Sequence, residues 1–354
     1  MKVRLQQPRL YDGREGMSGA VINGVRRFFP SWLGPAIVYG ISIGCLVWVY
    51  HDFDWHAELP RLKQIHWLWI LLAVTCDILV YVSQAWRWNI LLTPVVQAPL
   101  GRSVRAIYIG LFANEVLPLR SGEAIRCYLQ HLWSGISFPV AISSALIERL
   151  FDGIWLILGF FVTAFFVDLD ANLKYGASVL AVLVAALGVL LAYAVHRRDE
   201  AQDMLARNRW LGVLRHLIEG LHAMGRSPSF WVAALASLLY LGLQVVPIYA
   251  MIRGYGLDLT FGHAAAVLVV LRLGTVIPGP PGNIGVFNAF AVAGLMMLGV
   301  DRQTAAGLSG VMFFIITVPL LIAGCLALFV TGAKLKEIQR RAQSHLRQAP
   351  ESVS

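Results

Sequence analysis

Apolar positions fall along this chain in long uninterrupted runs, not in the short alternations of half-buried strands or the narrow stripes of surface helices. A hydrocarbon core about 30 Å thick takes about 20 apolar residues of helix to cross. Six stretches meet that length: roughly 33–50, 67–92, 138–166, 176–195, 229–252 and 304–330. Two more apolar regions, about 104–133 and 263–299, are broken in the middle by proline and glycine, leaving halves of some 14 residues. Such halves are short for a span and are expected to turn back as re-entrant hairpins. These are tolerated at depth only where protein or water satisfies the broken backbone. The pattern predicts an all-α polytopic membrane protein of about six full transmembrane helices plus two Pro/Gly-broken re-entrant hairpins.

Composition agrees and narrows the class. Hydrophobic residues make up 58% of the 354, charged residues only 14%, and mean hydropathy is +0.66. A soluble domain averages about 45–50% apolar and about 25% charged. Most soluble enzyme folds and any autonomous nucleic-acid-binding domain are thereby excluded, and no nucleic-acid partner is expected. The net charge of +9 reads as loop bias and attraction to anionic lipid. Lys2, Arg4, Arg9, Arg14, Arg26 and Arg27 precede the first span, and Arg87, Arg102 and Arg105 are assigned to the loop after the second. Six arginines, Arg207, Arg209 and Arg215 among them, lie in 196–228, and the tail carries Lys334, Lys336, Arg340, Arg341 and Arg347. The intervening loops 51–66, 167–175 and 253–262 are poor in basic residues. Rich and poor loops alternate if both broken regions return to the side they entered from, as hairpins or equally as paired short spans, which places both termini in the cytoplasm of a multi-pass inner-membrane protein. The expected organisation is a basic segment 1–32, a transmembrane domain 33–330 and a basic tail 331–354, with no cleaved leader.

Finer features attach to this frame. Trp32, Trp48, Trp67, Trp69, Trp88 and Trp231 lie near span ends as interface anchors. Residues 201–225 alternate basic and apolar positions at helical spacing, predicting an amphipathic helix or a plain solvated connector. Cys45, Cys76, Cys127 and Cys325 stand singly in or beside apolar segments and are expected to be buried free thiols.

The two broken regions resemble each other. Val116, Leu117, Pro118 and Gly122 align with Val276, Ile277, Pro278 and Gly282; downstream, Gly135-Ile136 corresponds to Gly299-Val300, and a long helix follows each. Three full spans separate the breaks, so the second hairpin enters from the opposite side. The prediction is an inverted repeat, repeat 1 over about 104–166 and repeat 2 over about 263–330, with 196–228 as connector. Many transporters are built this way, with substrate sites near the midplane between the repeats.

Nine ionisable residues fall in the apolar segments: Asp77, Glu115, Arg120, Glu123, Arg126, Glu148, Arg149, Asp152 and Arg272. Each would cost about 2.5–3.5 kcal/mol facing lipid at mid-bilayer. Together they would cost roughly 20–30 kcal/mol, more than a typical protein's whole stability. They must pair with one another or line a wet cavity, as a structural ion network or as a translocation site. Glu148 and Asp152 share a helix face, Arg149 is three residues from Asp152, and Asp77, Tyr81 and Gln84 form a polar stripe. Tyr240 and Gln244 make a weaker one.

At the first break, Pro118 ends one half-helix, Ser121 is a candidate cap for the next, and Glu123 lies in its first turn near Arg120 and Arg126, whose forked donors suit phosphate. At the second, Pro278, Gly279, Pro280, Pro281, Gly282, Asn283 and Gly285 hold the backbone open ahead of a helix start, a ready anion site. It lacks the lysine and hydroxyl of a P-loop. The grouping of His51, Asp52, Asp54 and His56 fits no standard metal site. No metal, cofactor or catalytic triad is expected.

Taken in order, Asn114-Glu115-Val116-Leu117-Pro118, Arg120-Ser121-Gly122-Glu123 with Arg126, Glu148-Arg149-Leu150-Phe151-Asp152, and Pro278-Gly279 through Gly285-Val286-Phe287 resemble the lysylphosphatidylglycerol synthase transmembrane-region family over about residues 30–330. In the bifunctional members of that family the membrane part is regarded as a lipid flippase joined to a cytosolic aminoacyl-transfer domain. The longest soluble stretch here, 196–228, is too short for that domain. The resemblance therefore implies lipid transport rather than covalent chemistry. Stand-alone members also occur beside glycolipid or hopanoid pathways, which leaves the lipid open. The expected partners are membrane lipids with a phosphate-bearing head group, with a second copy or a lipid-synthesis enzyme as possible protein partners. Two alternatives stand beside transport: a membrane-embedded transferase acting on a polyprenyl-phosphate or glycolipid substrate, and a noncatalytic scaffold of a lipid-synthesis complex.

Overall fold

The structure is a computed structural model and describes residues 33–117, 121–166, 171–196, 211–274, 281–332 and 340. Within them are twelve α-helices and no strand: α1 Leu33–Tyr50, α2 Trp55–Lys63, α3 Trp67–Leu92, α4 Leu100–Val116, α5 Gly122–Ser134, α6 Phe138–Phe166, α7 Ala171–His196, α8 Leu211–Gly225, α9 Pro228–Gly254, α10 Phe261–Gly274, α11 Val286–Met296 and α12 Arg302–Thr331. Each of the six long apolar stretches forms a helix, and each broken region forms two. Among the described residues α3, α9 and α12 are long and apolar enough to cross a membrane by length and composition. A fourth crossing is possible if α1 and α2, bent by 82° at the break between them, form one broken span. Helix α6 is as long, but Glu148, Arg149 and Asp152 interrupt its apolar run. The outward faces of α3, α9 and α12 expose leucine, valine, isoleucine, phenylalanine and tryptophan side chains, which suit a lipid environment.

Helices α3 and α9 form the most extensive helix contact. They run antiparallel: Trp69 at the start of α3 touches Gly254 at the end of α9, whereas Arg87 near the end of α3 donates to Ser237 near the start of α9 at 3.1 Å. Around this pair the remaining helices exchange partners. Helix α12 packs on α4, and α6 packs on α10, so the long helix after each break leans on the other break's first half-helix. The short helices follow suit. Glu58 of α2 lies against Gly307 of α12, and Gly220 of α8 lies against Ser143 of α6, whose hydroxyl donates to Leu217 O at 2.8 Å.

Local chemistry ends the half-helices alike. Gly135 (φ 69°) follows α5 and Gly299 (φ 84°) follows α11, both left-handed, where glycine avoids the Cβ penalty. At the first break the Gly122 N–H, the first orphan donor of α5, is taken by Asn114 Oδ1 at 2.8 Å. The expected cap, Ser121, occupies the N-cap position but makes no side-chain cap bond. At the second break Gly282 (φ 73°), Asn283 (φ 49°) and Gly285 (φ 83°) turn the chain, and Ser42 of α1 donates to Ile284 O at 2.5 Å. Pro281 to Asn283 form a 3-10 turn; Pro118, Arg120, Pro278, Gly279 and Pro280 lie outside the described residues.

Several other expectations change. Trp48, Trp67 and Trp231 are exposed near helix ends, but Trp88 is fully buried, its indole donating to Ser144 Oγ at 2.8 Å. Cys76 and Cys127 are buried as expected; Cys325 is exposed on the outer face of α12. In the connector, the described end of α8 packs Ile218, Leu221 and Met224 into the protein; Trp32, Arg207 and Arg209 lie outside the described residues. Asp54 of the acidic loop caps α2, accepting from His56 N and Ala57 N at 2.9 and 3.2 Å.

Candidate functional site

Among the described residues two large apolar cores form, one around each broken region, with a smaller third cluster of Phe160, Ala266, Val269 and Val270. The first gathers α4, α5, the start of α6 and the end of α3; the second gathers α10, α11, the start of α12 and the end of α9. A cavity of about 570 Å³ is lined from both. Its polar lining comes from Asp77, Tyr81 and Gln84 of α3, Asn114 and Glu115 of α4, Glu123 of α5, Arg149 and Asp152 of α6, Tyr240 and Gln244 of α9, and Arg272 of α10. Apolar surface is supplied by Leu268 and Leu271 of α10 and by Phe313 and Ile316 of α12. Both polar stripes read from the sequence therefore face this space, and the second break reaches it through Gly282 and Asn283.

The charges are arranged in two layers. The deeper layer is centred on Arg87, which is 0% exposed. Its guanidinium meets Glu148 at 3.1 Å, Asp152 and Ser237, and stacks over the Tyr240 ring at 4.5 Å. Glu148 also meets Arg126 at 2.8 Å as an ion pair, and Arg126 stacks over Trp88 at 4.8 Å. Arg126, Glu148 and Arg87 are all buried. The cavity layer begins with Glu123, which bonds Arg126 at 2.8 Å behind it and Arg149 beside it. Arg149 continues to Asp152 at 3.5 Å. Glu123 and Arg149 are each 42% exposed, and both line the cavity. The chain Arg126–Glu123–Arg149–Asp152–Arg87–Glu148 closes on itself, so each member compensates the charge of its neighbours. That is what makes such a cluster tolerable away from water.

Of the two roles open to the nine ionisable residues, Arg126 and Glu148 take the ion network: they lie behind the cavity and support the residues that line it. One placement differs from the sequence reading. Arg87, assigned to a cytoplasmic loop, is the centre of the deeper layer. The signal was present: Arg87 falls inside the stretch 67–92 and three residues after Gln84, on the face already marked by Asp77, Tyr81 and Gln84. Arg272 is turned toward Gln244, its hydrogen-bond partner on α9. Glu115 approaches the second break, where a Cβ on Gly282 would meet Glu115 Oε2 at 3.1 Å. Among the described residues no group of three or more His, Cys, Asp or Glu is placed to hold a metal.

With this geometry in view, the relationship to known proteins becomes specific. Residues 31–324 match the family described as the lysylphosphatidylglycerol synthase TM region. The chain belongs to that family. The matched segment contains both breaks, the charged layers and the cavity. The chain is 23% identical over 256 residues to a UPF0104 membrane protein of Methanothermobacter thermautotrophicus, covering 66% of this chain and 74% of that protein. It is also 25% identical over 233 residues to the glycosyltransferase AglD of Haloferax volcanii, covering 53% of this chain but only 36% of AglD.

Proposed function

We propose that this family member is a lipid flippase of a bacterial inner membrane, passing a polar head group between leaflets through the charged cavity while the acyl chains stay in lipid. The carrying observation is the cavity itself. A volume of about 570 Å³ is of the size that holds a small polar ligand. It is lined by Asp77, Glu115, Glu123 and Asp152 together with Arg149 and Arg272, so it offers both signs of charge to a head group that carries phosphate and a cationic moiety. Of the four arginines among the nine ionisable residues, Arg149 and Arg272 reach this space, Arg126 stands behind it, and Arg120 lies outside the described residues.

In this reading the two broken regions are re-entrant hairpins of an inverted repeat and both termini are cytoplasmic. The antiparallel α3–α9 pair, the exchanged packing of α6 and α12 and the matched glycines Gly135 and Gly299 favour it. Transport then proceeds by rocking one half against the other around the cavity. The partners are membrane lipids, and a second copy or a lipid-synthesis enzyme is the protein partner this role suits.

The test is purified protein in liposomes carrying a head-group-labelled lipid, with a membrane-impermeant quencher outside. The expected result is accelerated loss of protected fluorescence, slowed by Glu123→Gln. Unaccelerated flip-flop across phosphatidylglycerol, phosphatidylethanolamine and an aminoacylated lipid would count against transport. The named activity of AglD favours one other reading, a transferase on a lipid-linked substrate with Glu123 or Asp152 as base. Both carboxylates are already engaged by arginines, which suits binding better than proton abstraction. A new lipid product, found by mass spectrometry of the same liposomes, would favour the transferase.

A further inference from the structure

One carboxylate in the cavity is set apart from the rest. Asp77 is 6% exposed and lines the cavity from α3. Glu123 and Asp152 are each held by two arginines. The Asp77 side chain makes neither an ion pair nor a hydrogen bond among the described residues.

The groups around it explain why. On its own helix Tyr81 follows one turn later. Helix α4 brings Tyr108, whose hydroxyl is committed to Ile78 O at 3.2 Å, and Glu115, which carries the same charge sign as Asp77. Helix α9 brings Tyr240 and the uncharged Gln244; Arg272 of α10 is turned to that Gln244. The cavity-facing charges of α5 and α6, Glu123, Arg149 and Asp152, are committed to the ion network, and α12 faces the cavity with no titratable side chain. A lone carboxylate in such surroundings is stable when a proton neutralises it and costly when ionised and unpaired.

The position matters as much as the isolation. Asp77 and Pro247 line the cavity from the two helices of the α3–α9 contact, and Pro247 has no N–H to give the α9 ladder. A rocking motion of one half against the other has to rearrange that contact. We propose that Asp77 is the proton-coupling site of transport: it takes a proton from water on one side of the membrane and releases it to the other as the cavity changes its opening. No bond other than the carboxyl O–H forms or breaks. The cargo side of this inference rests on the flippase reading; the proton site itself does not.

Two measurements test them separately. In liposomes of phosphatidylethanolamine and phosphatidylglycerol carrying head-group-labelled phosphatidylethanolamine, a tenfold proton gradient is imposed. With one proton moved per lipid, wild type should sustain a leaflet asymmetry of up to about tenfold. Asp77→Asn should equilibrate the label one to one, and Asp77→Glu should restore asymmetry. Equal leaflets in wild type under the gradient, with label still crossing, would overturn the coupling and leave the flippase intact. So would asymmetry driven by a sodium gradient alone. The second measurement needs no transport: infrared titration of the reconstituted protein should show a protonated-carboxyl C=O band that Asp77→Asn removes. Identical spectra would overturn the proton site even if no labelled lipid crossed.

Discussion

Arg87 and Glu148 meet 3.1 Å apart with both side chains closed to solvent, and this pair ties α3 to α6 at the floor of the cavity. The pair is not isolated. Arg126 reaches the other oxygen of Glu148 from α5, and Asp152 reaches Arg87 one turn further along α6. Three helices thus share one ion network behind the first break. Desolvating these charges is costly, and their mutual contacts offset that cost only while every partner is present.

Removing Arg87 alone should therefore be severe. Arg87→Met leaves Glu148 and Asp152 facing each other without their shared cation, and the expected loss is about 3–5 kcal/mol. Adding Glu148→Gln and Asp152→Asn should recover part of it, since neutral amides no longer need the guanidinium. Thermal unfolding in detergent, followed by tryptophan fluorescence, measures both. A triple variant no more stable than Arg87→Met would refute a network held by charge.

The first break depends on close backbone approach. A Cβ at Gly122 would collide with Gly110 O and Asn114 Oδ1, whereas nothing lies within 4 Å of a Cβ at Gly135, where only the positive φ of 69° resists it. Gly122→Ala is expected to cost about 1–3 kcal/mol through overpacking. Gly135→Ala should cost about 1–2 kcal/mol, from the left-handed backbone alone. Asn114→Ala removes the acceptor of the Gly122 N–H and should cost about 1 kcal/mol, with Asn114→Asp retaining most of the cap. Unfolding midpoints of the four variants in one detergent would show the ordering.

Glu58 of α2 is 2% exposed and accepts the Tyr255 hydroxyl at 2.5 Å, joining α2 to the end of α9 beside Gly307 of α12. Burial, and then the Glu58 carboxylate beside it, push the Tyr255 phenol well above the usual tyrosine range. Because the folded value is raised, this contact contributes its full stability below the unfolded tyrosine value of about 10 and loses it as pH rises through the folded value. Tyr255→Phe should cost about 1–3 kcal/mol at neutral pH by leaving buried Glu58 with only the more distant Arg61 at 3.5 Å, and the deficit should shrink in strong alkali. Phenolate absorbance titration of wild type against Tyr255→Phe checks the assignment: a Tyr255 signal at the bulk tyrosine midpoint would contradict it.

The all-helical class and the helix positions were legible in the sequence because a membrane imposes its thickness on helix length. The long helices stand where unbroken apolar runs stand, α5 begins at Gly122, and Gly135 and Gly299 follow the second half-helix of each break. Site residues were legible where an ionisable side chain interrupts an apolar run, as Asp77, Glu123, Arg149 and Asp152 do. Depth was not. Sequence spacing gives the face of a helix but not what packs against that face, so it could not show that Arg126 is covered by Trp88 or that Glu148 is enclosed by Arg126 and Arg87. Arg87 was missed because it lies close to the end of its span, where a basic residue ordinarily marks a loop. The cap at the first break was assigned to Ser121 from residue type, but a side chain eight positions before Gly122, that of Asn114, satisfies the donor because the chain folds back on itself there.

The two layers of the ion network predict a separation between folding and transport. Arg126 is 3% exposed and carries Glu123 and Glu148 from behind, while Arg149 is 42% exposed and faces the cavity from α6. Arg126→Ala should destabilise the protein by about 3–5 kcal/mol, because two acids lose a buried partner. Arg149→Ala should unfold near the wild-type temperature, since its partners Glu123 and Asp152 keep Arg126 and Arg87. Its flip-flop rate should nevertheless fall about tenfold or more, the equivalent of at least about 1.4 kcal/mol in barrier. Arg149→Lys keeps the charge but not the planar fork, and should fall between the two. Unfolding temperature and initial flip-flop rate measured on the same preparations decide the matter. An Arg149→Ala protein that transports at the wild-type rate would show that the cavity layer, like the layer behind it, serves only to hold the helices together.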